Sequence, residues 1–385
     1  MNFRIIAYIV GWVCNFQAAF MMLPLLTAGI YREKDFSAFL LVMLVCLVVG
    51  VPLTRKKPKN KVFYIKDGCV AVALSWLALC IFGSIPFVVS GCIPHPIDAL
   101  FETVSGFTTT GSSILSDVEV LPHCILIWRS FTHWIGGMGV LVFLLSLLPL
   151  AGGYHMNLMK AESPGPSVSK LVPKVQSTAK ILYTIYFGMT LIQLALLLIG
   201  RVPLFDSLCI TFGTAGTGGF GIVNDSLGSY STYCQVVTTI FMILFGVNFS
   251  AYYLILTKKF RQAFKYEEVR YYFGIIAVAI VIIALNTAHL FRNLLTAFQQ
   301  AAFQVGSIIT TTGFSSTDFN QWPALSKTVL VLLMFVGACA GSTGGGIKVS
   351  RILILCKAAK KEFQLYLHPN AAVSYTHLRA HETRG

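Results

Sequence analysis

Apolar residues come in runs of about twenty along most of the chain, separated by short basic or Thr/Gly-rich segments. A membrane span needs about 20 mostly apolar residues. That rule predicts spans near residues 5–30, 36–54, 69–91, 125–150, 178–200, 234–257, 271–291 and 327–355, eight in all. Three connections break the alternation: residues 92–124, 201–233 and 292–326, each longer than 30 residues, half apolar and rich in Thr and Gly. Each opens on a short amphipathic stretch, DALFETVSGF (98–107), FDSLCITFG (205–213) or LTAFQQAAFQVGS (294–306). These are too short to span and too apolar for solvated loops, which suits re-entrant elements. Non-helical backbone at membrane depth survives only when it is buried in protein or lines a water-filled cavity.

Composition agrees with the pattern. Of 385 residues 56% are hydrophobic and 11% charged, against about 25% charged in a soluble chain, which excludes a soluble enzyme. The net charge of +14 does not point to nucleic acid, because the basic residues sit in short runs between spans. Counting Arg4 and omitting the last residues, alternate connections hold 21 Lys and Arg on one side and 6 on the other, so the positive-inside rule puts the N-terminus in the cytoplasm. The ten cysteines are scattered, with no metal-ligand spacing, and read as packing residues.

The three odd connections align with one another. After each short helix comes TTTGSS (108–113), GTGGFG (216–221) or TTTGFS (310–315), pairing Gly111, Gly219 and Gly313. The unit is helix, re-entrant helix, Thr/Gly loop, helix. A dehydrated monovalent cation needs several oxygen ligands, which rings of backbone carbonyls from related loops supply. Glycine permits the angles that turn carbonyls to an axis, and a helix C-terminus aimed there adds its negative dipole end. The candidate filter is therefore Thr109, Thr110, Gly111, Thr217, Gly218, Gly219, Thr311, Thr312 and Gly313, with the ion at Thr110, Gly111, Gly218, Gly219, Thr312 and Gly313. Asp98, Glu102, Asp206, Asp225 and Asp318 are assigned to the outer mouth or a solvated rim.

These strings, with WRSFTHWIGGMGVLVF (128–143), SPGPSVSKLVPKVQSTAKILYTIY (163–186) and GACAGSTGGGIKVSR (337–351), resemble the TrkH branch of the Trk/Ktr/HKT potassium transporters. The two helices before the first repeat are similar to TrkH rather than KtrB. The resemblance implies an all-α polytopic membrane protein with potassium-channel-like repeats, one filter glycine per repeat, potassium as substrate and no cofactor bound by this chain. Gly111, where plant relatives that prefer sodium carry Ser, points to potassium. The implied partners are a second copy of the chain and a cytoplasmic nucleotide-binding regulatory subunit of the TrkA type. The implied location is a bacterial inner membrane.

The last span is interrupted by Gly337, Gly341, Ser342, Thr343, Gly344, Gly345 and Gly346. Glycine costs about 1 kcal/mol against Ala in a helix, so the helix is expected to break there. The resemblance implies an intramembrane gate. A phosphate loop is the weaker match, because Ile347 intrudes before Lys348 and no strand precedes; close helix packing is the other alternative. His133 is expected at the membrane interface, Arg129 at headgroups or an outer-mouth carboxylate, and Gly136, Gly137 and Gly139 at close packing.

The expected organisation is two N-terminal helices with a basic loop (1–66), pore repeats at 67–160, 161–265 and 266–372, and an extrinsic tail at 373–385. The family pattern has four repeats, so three are present and the chain is expected to be a fragment. A sodium-coupled symporter with broken helices is the alternative. Such proteins use inverted repeats, whereas these three share one orientation.

Overall fold

The structure, a computed structural model, describes residues 1–58, 64–139 and 175–367. The inner end of the fourth expected span, the basic segment with Lys160, Lys170 and Lys174, and the tail at 373–385 lie outside the described residues. Among the described residues there are helices and no strands.

Helix α1 (Phe3–Phe20) runs into α2 (Met22–Tyr31) through Met21, together an apolar stretch of 29 residues. Helix α3 (Phe36–Arg55) packs back on α1 at small residues: a Cβ on Gly50 would lie 2.8 Å from the Gly11 carbonyl oxygen. Three units of like design follow. The first is α4 (Ile65–Val89), α5 (Pro96–Phe107) and α6 (His123–Gly137). The second is α7 (Val175–Ile199), α8 (Leu204–Ala215) and α9 (Thr232–Phe245), continued by α10 (Phe249–Leu256) and α11 (Phe260–Phe264). The third is α12 (Glu267–Thr287), α13 (Leu294–Ile309) and α14 (Ala324–Val336), continued by α15 (Val349–Leu367).

Among the described residues five helical stretches are long and apolar enough to cross a membrane, six if the bent pair α9–α10 is one span. Three of the eight expected spans differ from what the pattern predicts. The fourth is helical only to Gly137 within the described residues. The sixth, expected as one helix over 234–257, bends by 93° between Phe245 and Phe249. The eighth breaks into α14 and α15. Leu26, Val48, Leu77, Ile199, Val278, Leu285 and Phe335 are all exposed, as a lipid-facing surface requires, while Gln17, Glu102, Arg129, His133, Gln193 and Thr238 are buried. All ten cysteines are free thiols, seven of them buried.

One carboxylate ties the N-terminal helices to the first unit. Pro122 leaves α6 without a side-chain cap, so the N–H groups of His123 and Cys124 donate to Glu33 instead, at 2.7 and 2.9 Å. His123 Nδ1 lies 3.0 Å from the same carboxylate, and its ring stacks on Tyr31 at 3.9 Å. Burial pushes the Glu33 carboxyl up, but the hydrogen bonds from Cys124 and His123 outweigh it and hold its pKa below the usual value. A folded-state pKa depressed in this way contributes stability that is present above the unfolded value and lost as pH falls through the folded one. Glu33→Gln should therefore destabilise the protein by about 1 kcal/mol at neutral pH. Thermal unfolding in detergent should show that difference closing as the pH is lowered through the acid range.

Candidate ion-binding site

The three short helices end in the same way. Thr109, Thr217 and Thr311 adopt left-handed backbone with φ of 56°, 53° and 59°. Their N–H groups bond back to Gly106, Thr214 and Ile308 at 3.1, 3.0 and 3.1 Å. The next N–H groups, of Thr110, Gly218 and Thr312, reach Ser105, Gly213 and Ser307, each at 2.9 Å. This paired closure normally uses glycine at the left-handed position. A side chain there costs about 1–2 kcal/mol, so each unit stores strain at the same place. Two residues on, Gly111, Gly219 and Gly313 are again left-handed, at φ 75°, 77° and 86°. Alternating handedness turns successive carbonyls to one side, where an extended strand would send them to opposite sides.

The three loops converge. A Cβ on Gly111 would lie 2.0 Å from the Gly218 carbonyl oxygen and 3.9 Å from that of Thr312. A Cβ on Gly219 would lie 1.9 Å from the Thr312 oxygen, whereas one on Gly313 would meet no atom within 4 Å. Gly111, Gly218, Gly219 and Thr312 are thus brought to one place, with Thr110 and Gly313 in the same loops. The middle loop is the enclosed one: Thr217 and Gly218 are buried, while Thr110 and Gly313 are exposed.

The middle loop reads GTGG where its neighbours read TTTG, and the structure gives the cause. In the outer loops the hydroxyls pair, Thr108 with Thr110 at 2.8 Å and Thr310 with Thr312 at 2.7 Å. In the middle loop His133 fills that space. A Cβ on Gly216 would lie 2.1 Å from the His133 carbonyl oxygen, and one on Gly218 would lie 2.2 Å from its Nδ1. His133 is therefore not at the interface as expected; it is fully buried behind the second loop, its ring 4.2 Å from that of Phe220. Glu102 is likewise not a rim residue. It is buried and paired with Arg129 at 2.8 Å, so of the two expected partners of Arg129 a carboxylate holds and headgroups do not. Asp206 accepts from the Tyr230 hydroxyl at 2.9 Å, and Asp225 and Asp318 are exposed.

The glycine run 337–346 breaks the helix as expected, with left-handed backbone at Gly337, Gly341 and Gly346. It folds under the loops rather than packing as a helix. The Thr217 hydroxyl donates to the Thr343 carbonyl at 3.0 Å, and Gly345 N–H donates to the Thr311 hydroxyl at 2.7 Å. The Thr343 hydroxyl reaches the Phe245 carbonyl, and the Ser342 hydroxyl the Cys339 carbonyl. Cys339 N–H bonds to Gly246 O and Phe249 N–H to Gly341 O, each at 3.0 Å. The run therefore occupies the bend between α9 and α10, each satisfying the other's freed backbone. Gly246 followed by the cap Asn248, whose side chain accepts from Ser250 N–H, was a stop-and-start signal in the sequence. On the far side Glu268 accepts from Ala340 N–H at 2.6 Å and Ser350 N–H at 3.2 Å, and Lys348 Nζ donates to the Gly344 carbonyl.

Short helices that end where carbonyls from three related loops converge offer neutral oxygens to a dehydrated monovalent cation. Fold and site define an all-α multi-pass membrane protein built on potassium-channel-like repeats. A model of the TrkH cation transport protein family matches residues 34–381. The chain belongs to the TrkH family, one of transporters rather than enzymes. It is 36% identical over 384 residues to the Trk system potassium uptake protein TrkH of Salmonella typhimurium, covering 97% of this chain and 79% of that protein. The corresponding protein of Escherichia coli K12 is 35% identical over 381 residues, with the same shares covered. The fold matches the crystal structure of the potassium transporter TrkH from Vibrio parahaemolyticus with a TM-score of 0.86, at 30% identity and over 98% of this chain and 79% of that one.

Thr→Val keeps the side-chain shape and deletes only the hydroxyl. Thr311→Val should leave Gly345 N–H without its partner, at a cost of about 1–3 kcal/mol. Hydrogen exchange should show faster exchange confined to residues near 343–346; unchanged protection there would show that the hydroxyl does not hold the segment.

Proposed function

We propose that the protein carries potassium across a bacterial inner membrane, down its electrochemical gradient, through a filter formed by Thr109–Gly111, Thr217–Gly219 and Thr311–Gly313. The observation that carries this is the same strained helix closure in three units, with carbonyls of Gly218 and Thr312 meeting beside Gly111 and Gly219. The ion is held at Thr110, Gly111, Gly218, Gly219, Thr312 and Gly313, by carbonyls that replace water without a fixed counter-charge. Residues 337–346 form the gate. Hydrogen bonds to Thr217 and Thr311 put that segment against the base of the loops, where an ion leaving them would have to pass.

Residues 67–160, 161–265 and 266–372 are taken as the three pore repeats after an N-terminal pair at 1–66, and 373–385 as extrinsic. The N-terminus is cytoplasmic, supported by the 21 to 6 split of basic residues. A homodimer with a TrkA-type nucleotide-binding regulator is proposed as the assembly, since the relatives named above are components of a Trk system.

The test is growth of a potassium-uptake-deficient bacterium at low potassium. This chain, extended at its C-terminus with the remaining part of a relative, should rescue growth. Gly313→Ser should weaken the rescue by straining backbone at φ 86°. No rescue by a membrane-inserted protein would overturn the potassium assignment.

A further inference from the structure

We infer that the buried Glu102–Arg129 ion pair is a positioning element that sets the spacing of the first and second loops and thereby the preference for potassium over sodium. The inference rests on the filter reading proposed above and adds to it two residues that do not touch the ion.

Both side chains are withdrawn from solvent, Arg129 at 2% and Glu102 at 0% exposure, with Nε and Oε1 2.8 Å apart. Two charges taken out of water are costly to keep, and a well-packed apolar pair is often as stable, so helix packing alone does not account for them. Their remaining contacts do. Both carboxylate oxygens of Glu102 accept from the Ser113 hydroxyl, at 3.0 and 3.1 Å, and Oε2 also accepts from Ile114 N–H at 3.0 Å. Ser113 and Ile114 leave the first loop two and three residues after Gly111. Arg129 reaches the same Ser113 hydroxyl through Nη2 at 3.2 Å and turns Nη1 to the Gly221 carbonyl at 3.3 Å. Its guanidinium carbon lies 4.3 Å over the Phe220 ring. Phe220 and Gly221 leave the second loop one and two residues after Gly219.

One guanidinium thus bridges the two segments that leave neighbouring loops. Its planar fork, with donors in fixed directions, does this where a point charge could not. The third loop is held by neutral groups instead. Ser316 donates to Gln300, Gln299 and Gln300 both donate to Gln235, and Gln304 donates to the Thr317 carbonyl. Sodium is smaller than potassium, so carbonyls must close further to replace its water. A brace that fixes the spacing of the first and second loops opposes that closure at their junction.

The test compares potassium and sodium uptake by the C-terminally extended chain used in the growth test and three variants of it, each normalised to its abundance in the membrane. Glu102→Gln with Arg129→Met removes both charges at similar volume, keeps an acceptor for Ile114 N–H, and is expected to insert normally. Its potassium-over-sodium ratio should fall roughly ten-fold, about 1.4 kcal/mol. Arg129→Lys keeps the charge but not the fork, and should fall part of the way. Gly313→Ser, which perturbs the filter directly, is the reference. A double variant at normal abundance with an unchanged ratio, while Gly313→Ser lowers it, would overturn the brace and leave the filter standing. No change in either would overturn both. If the double variant fails to insert, Arg129→Lys decides: a wild-type ratio overturns the inference and a lowered one supports it.

Discussion

Hydrocarbon offers no hydrogen-bond partners, so every backbone N–H and C=O within the membrane must be paired inside the protein. The irregular parts of this structure follow from that constraint. Ending three helices at membrane depth exposes their last carbonyls, and the left-handed closure at Thr109, Thr217 and Thr311 turns N–H groups of the following residues back onto them. Breaking the last helix at Gly337 frees another set, and bending α9 at Gly246 frees a third. The two breaks are placed against each other, through Cys339 to Gly246 and Phe249 to Gly341, so that each is the other's solvent.

The same closure explains why threonine stands where helices usually end on glycine. Its β-carbon adds strain, but its hydroxyl gives each loop a polar group beneath the site. In the second loop that group donates to Thr343, and in the third it accepts from Gly345. The site and the segment below it are therefore one hydrogen-bonded body. The glycine run is thus bonded to the threonine at the left-handed position of two of the three loops.

The three units are alike in backbone and unlike in support. Around the first loop the support is an ion pair, behind the second it is the ring of His133 against Phe220, and around the third it is a set of amides and hydroxyls. His133 leaves no space for side chains at positions 216 and 218, so the departure of GTGGFG from TTTG reflects one neighbour rather than a different chemistry.

The chain's own pattern was enough to locate the apolar stretches, the three re-entrant helices to within three residues at either end, and the glycines that converge. Those features are local: they depend on run length, on the spacing of apolar positions, and on the one residue type that tolerates positive φ. The bend in α9, the burial of Glu102 with Arg129 and the burial of His133 were decided only by tertiary structure. Glu102 and Arg129 are 27 residues apart on separate helices, and each alone looks like a charge that belongs at a water-facing rim. Only packing decides which carboxylate Arg129 meets and that the pair is buried, because the free energy of a charge in a membrane protein depends on its partner rather than on its neighbours in sequence. The bend had a local signal in Gly246 and Asn248, but an isolated helix would have no reason to break there. The reason is the glycine run more than ninety residues later, whose unpaired backbone only a broken helix could satisfy.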